Sequence, residues 1–237
     1  MTDRSSGRLR LVLVVGTALA ASAVRVAAQD TRLAAIADEG TRARINAVIE
    51  RARAASLPVE PLVDKALEGA RKRAGDARIV EAVTSLEARL DSSRVALGSA
   101  SSDAELVAAA AALQAGVGPV VLTQLRRERT GRSLAVPLVV LSDLVTRGVP
   151  HDTASALILL VAHEGLGDET LLAIQRDVQR DVRDGAHPAT AAAIRARGAV
   201  SGASTRMRPT RGPLAAGAAS AAAPASAGAA HPGGTKP

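Results

Sequence analysis

Residues 133–182 read as three apolar helical segments parted by Gly148 and Gly165. The middle segment, Ala156-Leu157-Ile158-Leu159-Leu160-Val161-Ala162, is the most hydrophobic run outside the N-terminus. A run apolar on every side is normally buried on every side. It therefore predicts a helix at the centre of a helical core, with Leu157, Leu160 and Val161 among the most buried side chains. Periodicity alone does not separate such a run from a buried strand. The length from Asp152 to Glu164 and the helical spacing of both neighbours favour a helix.

The material available for that core is narrow, because the chain has no Phe, Tyr or Trp. The interior must be Leu, Val, Ile and Ala, without the area and packing geometry that aromatic rings supply. Abundant Ala and Arg raise helix propensity. With no Cys in the sequence, disulfides, thiol catalysis, Cys-ligated zinc and iron–sulfur clusters are excluded. The missing aromatics also remove the usual stacking platforms for single-stranded nucleic acid.

The net charge of +7 lies entirely at the two ends of the chain. Residues 1–28 carry +3 and residues 199–237 carry +4, whereas residues 29–198 balance 22 basic against 22 acidic side chains. The body is thus not a basic domain, and specific nucleic-acid binding loses its electrostatic footing.

Residues 1–28 have the build of a secretory signal. Arg4, Arg8 and Arg10 precede an apolar run opening at Leu11, and two small-residue cleavage sites follow, Ala21-Ser22-Ala23 and Val26-Ala27-Ala28. The second is preferred because it puts the polar Gln29-Asp30-Thr31 at the mature start. The alternative is an uncleaved anchor, for which the run is short. Beyond the signal, Thr31 to Arg53 predicts one amphipathic helix with Ile45, Val48, Ile49 and Ala52 on a single face. A second helix is expected to start at Pro58, with Pro61 still in its first turn, and to end through Arg71-Lys72-Arg73 at Gly75. Ile79, Val83, Leu86, Leu90 and Leu97 mark a third, stopping at Gly98. Ser102-Asp103-Ala104-Glu105 is a capping box that opens an Ala-rich helix to about Gln114. Gly116 and Gly118-Pro119 precede a segment ending in Arg126-Arg127-Glu128-Arg129. After the three central segments, the last of them striped by Leu171, Ile174, Val178 and Val182, His187-Pro188 starts a short helix ending near Gly198.

The glycines at 98, 116, 131, 148, 165 and 185 are spaced by about seventeen residues. Gly148-Val149-Pro150 echoes Leu57-Pro58-Val59, and paired helices of this length fall in the range of helical repeats. The tetratricopeptide pattern requires aromatic positions that are absent here. The expected fold is all-α: a compact orthogonal bundle of about seven to nine short helices over residues 29–198, with a short irregular α-solenoid as the alternative. Residues 199–237 turn to Ala, Gly, Ser and Pro and read as a disordered basic tail. In its signal, its GVP-type turns and its Ala/Arg-rich helices, the chain resembles secreted helical proteins of GC-rich bacteria. That resemblance implies no activity and supplies no functional residue.

The chemistry-bearing candidates are few. His163-Glu164 resembles the start of a zinc helix, but Gly167 stands where the second His is needed. His151 and His163 bracket one helix and project from its opposite ends. Asp177 and Asp181 sit one turn apart among Arg176, Arg180 and Arg183, the pattern of a solvated helix face. No nucleophile elbow, phosphate loop or dinucleotide fingerprint is present. No catalytic, cofactor-binding or metal-ligating residue is therefore expected, and no cofactor. The leading expectation is a non-catalytic exported helical interaction or structural module in the periplasm or outside the cell, its partner another envelope protein. A second is an envelope-associated protein whose tail, or uncleaved signal, meets anionic lipid or wall polymer. A third is an enzyme with a site assembled from scattered residues such as Asp143, His163 and Glu164. In the body, Arg126-Arg127-Glu128-Arg129 is the one local basic cluster able to meet an anionic partner.

Overall fold

The computed structural model describes residues 30–207, with side chains as far as residue 202. The expected signal and cleavage site, and the expected tail beyond residue 207, lie outside the described residues. The described chain is all-helical. A 3-10 turn, Thr31–Ala35, is followed by nine α-helices: α1 Glu39–Ala54, α2 Glu60–Arg71, α3 Asp76–Leu97, α4 Asp103–Gln114, α5 Pro119–Glu128, α6 Ala135–Thr146, α7 His151–His163, α8 Asp168–Arg183 and α9 Pro188–Met207.

Local chemistry explains where the helices begin. Asp30 caps the 3-10 turn, the chain extends at Ile36, and Asp38 then accepts the Thr41 amide at 2.6 Å to open α1. The single helix expected from Thr31 to Arg53 is split by these two aspartates. α2 starts at Glu60, two residues later than the Pro58 expectation, with Pro61 in its first turn, where a missing amide proton is harmless. The capping box of α4 is complete. Ser102 accepts the Glu105 amide, and the Glu105 carboxylate accepts the Ser102 amide at 2.9 Å.

Six of the described helices end in one and the same way. After α6, Gly148 takes φ 91°, its N–H bonds to Val145 O, and the Val149 N–H reaches back to Leu144 O. This is a Schellman closure, in which a left-handed residue lets two amides satisfy the last carbonyls. The same pair of bonds recurs at Gly116, Gly165 and Gly185, and also at Ser56 and Arg73, whose φ values are 54° and 52°. Gly75, expected to terminate α2, is instead the N-cap of α3, and Arg73 takes the left-handed position. The residue after the turn often completes the closure by packing inward: Leu57, Val117 and Val149 are all buried.

The turns are short, and helices stack on their next-but-one neighbours. α1, α3, α5, α7 and α9 pack in series, as do α4, α6 and α8. α2 leans on α3 and on the 3-10 turn. The helical bundle is therefore assembled as two layers by a stacking rule characteristic of helical repeats.

The interior divides into two apolar clusters. The first gathers Leu33, Ile45, Leu62, Val83 and Leu90 from the N-terminal elements. The second runs from Leu97 to α9 through Leu122, Leu138, Leu141 and Ile158. α4 belongs to both, giving Leu106 and Ala110 to the first and Ala108, Ala109 and Ala112 to the second. Largest among the fully buried side chains are leucines and isoleucines, and α6 supplies three of them, Leu138, Leu141 and Leu144. α7 is not buried on every side. Ile158 and Val161 are sealed and Leu157 nearly so, but Leu160 is only half-buried and Ala156 is exposed. An all-round apolar run needs neighbours on all sides; α7 has α5, α6 and α9, and to a lesser extent α8, around it and meets water on the remaining side. α9, expected to stop near Gly198, continues to Met207.

Candidate functional site

Three polar groupings join helices that are distant in sequence. At the first, Glu105 is buried at 5% exposure and joins α4 to α6. Its Oε2 accepts the Ser102 amide, while its Oε1 accepts the Leu134 amide at 2.7 Å. Arg126 Nη2 approaches Oε1 to 3.0 Å, and Arg126 Nη1 reaches the carbonyl of Arg132. Burial pushes the Glu105 carboxyl up, yet the two amides and the guanidinium together outweigh it and hold the group below its ordinary value. Beside this carboxylate opens a cleft of about 630 Å³, lined by Leu97, Ser99, Ala100, Arg126, Arg132 and Ser133 among others. Its rear wall is fixed by Arg94, which donates to the carbonyls of Ser99 and Ser56 at 2.7 Å each.

The second place lies between α6 and α8. Asp143 Oδ2 accepts Arg147 Nε, Gln175 Nε2 and Gln179 Nε2 at 2.8–2.9 Å. Burial raises this carboxyl too, but the three donors prevail and keep it low. The third joins the end of α5 to the start of α8. Arg129, 2% exposed, donates from Nη2 to Asp168 Oδ1, while its Nε and Nη1 are buried with no acceptor among the described residues. Next to it, His163 Nδ1 faces Glu128 Oε2 at 3.4 Å.

These contacts decide how the sequence candidates are distributed. Asp143 is engaged by α8 glutamines, His163 faces α5, and Glu164 is the exposed C-cap of α7. The three residues considered for an assembled active site thus have separate surroundings. His151 pairs with its own neighbour Asp152 at the opposite end of α7 from His163. Among the described residues, no group of three or more His, Asp or Glu is placed to hold a metal ion. Asp177 and Asp181 are not merely solvated: Arg195 of α9 reaches Asp181 Oδ1 at 2.6 Å and lies 3.7 Å from Asp177, tying α8 to α9. The basic cluster is split, with Arg129 inside, Arg126 on Glu105, and Arg127 at the surface. Sequence reading missed the interior role of Arg129, because its partner lies 39 residues away with no local signal.

One feature of mixed apolar and charged lining lies at the end of the stack. α8 and α9 are the last described members of their layers, and between them runs a groove of about 480 Å³. Leu166, Ala173, Ile174, Gly198 and Ala199 line it, with Ile194 56% exposed at its edge and Glu169, Asp177 and Arg195 on its rim. No family model, no curated protein and no solved structure matches this chain. Among the described residues, no helix is long and apolar enough to cross a membrane.

Proposed function

We propose that this chain is an exported, non-catalytic helical module, and that it works by accepting an amphipathic helix of an envelope protein at the α8–α9 end of its two described layers. The observation carrying this reading is the groove between α8 and α9. Within the fold, each helix of the series buries an apolar stripe against the helix two places on. At α8 and α9 the same kind of stripe continues with no further described helix upon it. Small residues at 173, 198 and 199 permit close backbone approach, and a charged rim around an apolar floor is the anatomy of a helix-in-groove site. Export rests on the N-terminal pattern of Arg4, Arg8 and Arg10 before an apolar run.

The absence of Cys makes the test clean. Ile194→Cys introduces a unique thiol at the groove, and Arg183→Cys places one at an exposed site away from it. A thiol-directed photocrosslinker on the Ile194→Cys variant, used in envelope preparations, is expected to give one discrete adduct that a competing excess of unlabelled protein suppresses. Equal labelling from the Arg183→Cys variant, or no discrete adduct from the groove thiol, overturns the proposal.

A further inference from the structure

We infer that the cleft beside Glu105 is a binding site for an oxyanion, a phosphate or carboxylate group presented by a small ligand or a polymer end. This site is separate from the α8–α9 groove and does not depend on it. Two guanidinium groups, Arg126 and Arg132, border the cleft, against the single carboxylate of Glu105. Both oxygens of that carboxylate are already occupied, by the amides of Ser102 and Leu134 and by Arg126. One positive charge is therefore left over, and it belongs to Arg132, which is exposed and has no hydrogen-bond or ion partner for its side chain among the described residues. Asp103, on the first turn of α4, is not among the residues lining the cleft.

The groups around the two arginines suit the same ligand class. Ser99 and Ser133 bring hydroxyls to the cleft, and Ser133 Oγ already accepts the Ala135 amide, which leaves its proton free to donate. Leu97 and Ala100 form an apolar wall. Guanidinium groups bind phosphate and carboxylate through paired, charge-assisted hydrogen bonds, and a partly enclosed cleft strengthens them relative to open water. The frame is stiff before any ligand arrives: Arg94 ties the Ser99 loop to the α1–α2 turn, Ser101 Oγ bonds Gly98 O, and Arg126 holds the Arg132 carbonyl. Preorganised donors of this kind lower the ordering cost of binding.

The test is a titration of the protein with inorganic phosphate and, separately, with acetate, each at constant ionic strength set by chloride. Amide and arginine Nε–H resonances are followed by nuclear magnetic resonance. Saturable shifts are expected at residues 98–102 and 131–133 with at least one probe, and the probe that saturates identifies the phosphoryl or the carboxylate branch. Arg132→Gln is expected to weaken that binding about tenfold, the loss of one charge-assisted contact, while Arg183→Gln leaves it unchanged. The Arg132 side chain has no structural partner among the described residues, so its variant keeps the fold, and an unperturbed spectrum elsewhere verifies that. Non-saturable shifts with both probes, or equal binding by Arg132→Gln, overturn the inference.

Discussion

The two apolar clusters close their helices with the same turn but with different residues. In the C-terminal cluster the left-handed position is glycine at 116, 148, 165 and 185; in the N-terminal cluster it is Ser56 and Arg73. A side chain in that conformation carries a local penalty of about 1–2 kcal/mol that glycine avoids. The Ser56 turn is held by what surrounds it. Leu57 is buried behind Ser56, and Arg94 of α3 donates to the Ser56 carbonyl. Identical backbone geometry is thus secured by glycine in one half and, at Ser56, by tertiary contact in the other. The two halves are joined through α4, buried in both clusters, and the long α3.

The sharpest way to break this comparison is to damage each cluster separately. Leu62→Ala in the first and Leu141→Ala in the second are each expected to destabilise by about 2–5 kcal/mol. Both should lower the midpoint of one common denaturant transition followed by helical circular dichroism, because α4 shares its faces between them. Two separated transitions in either variant would make the clusters independent units. Leu160→Ala, at a half-buried site, is expected to cost less than Leu141→Ala.

Glu105 tests the seam itself. Its carboxyl is held below the ordinary value of 4.5, so the stability it lends is complete above about pH 4.5 and is lost as pH falls through the lower folded-state value. Glu105→Gln should cost about 1–3 kcal/mol at neutral pH, by weakening acceptors for buried donors. It should also flatten the acid limb of a stability–pH profile, and an unchanged limb would assign the acid sensitivity to other carboxylates.

The smallest effects separate the turns. Ser56→Gly and Arg73→Gly are expected to stabilise by about 0.5–1 kcal/mol each, the relief of strain less the added unfolded-state entropy of glycine. Gly148→Ala should lose about 1 kcal/mol, although a Cβ there would meet nothing nearer than Pro188 Cγ at 3.7 Å. Chemical denaturation resolves both signs. If the three substitutions all shift stability in one direction, backbone conformation is not what distinguishes the halves.

The same contrast explains what could be read from the sequence. The capping box at Ser102 and Glu105 was legible because both partners lie within one turn. The glycine-marked closures were legible for the same reason, whereas Ser56 and Arg73 occupy the identical role without the residue that advertises it. The centrality assigned to Leu160 failed because hydrophobicity reports what a segment is made of and not how many helices surround it. The third bond of Glu105, to the Leu134 amide, spans 29 residues and has no local pattern at all. The polar meeting points depend on such long-range contacts, and so only their ingredients, chiefly Arg126 and its neighbours, were visible beforehand.

Next-but-one stacking also imposes parity on how a chain of this kind can change in length. Removing one helix from the middle would send every later helix to the opposite layer, turning its apolar stripe outward. Removing or duplicating two in succession would leave each stripe facing its former side. Viable deletions and insertions in this architecture are therefore even-numbered, counted in helix pairs of about thirty-five residues, and a lone extra helix can be tolerated only at an end.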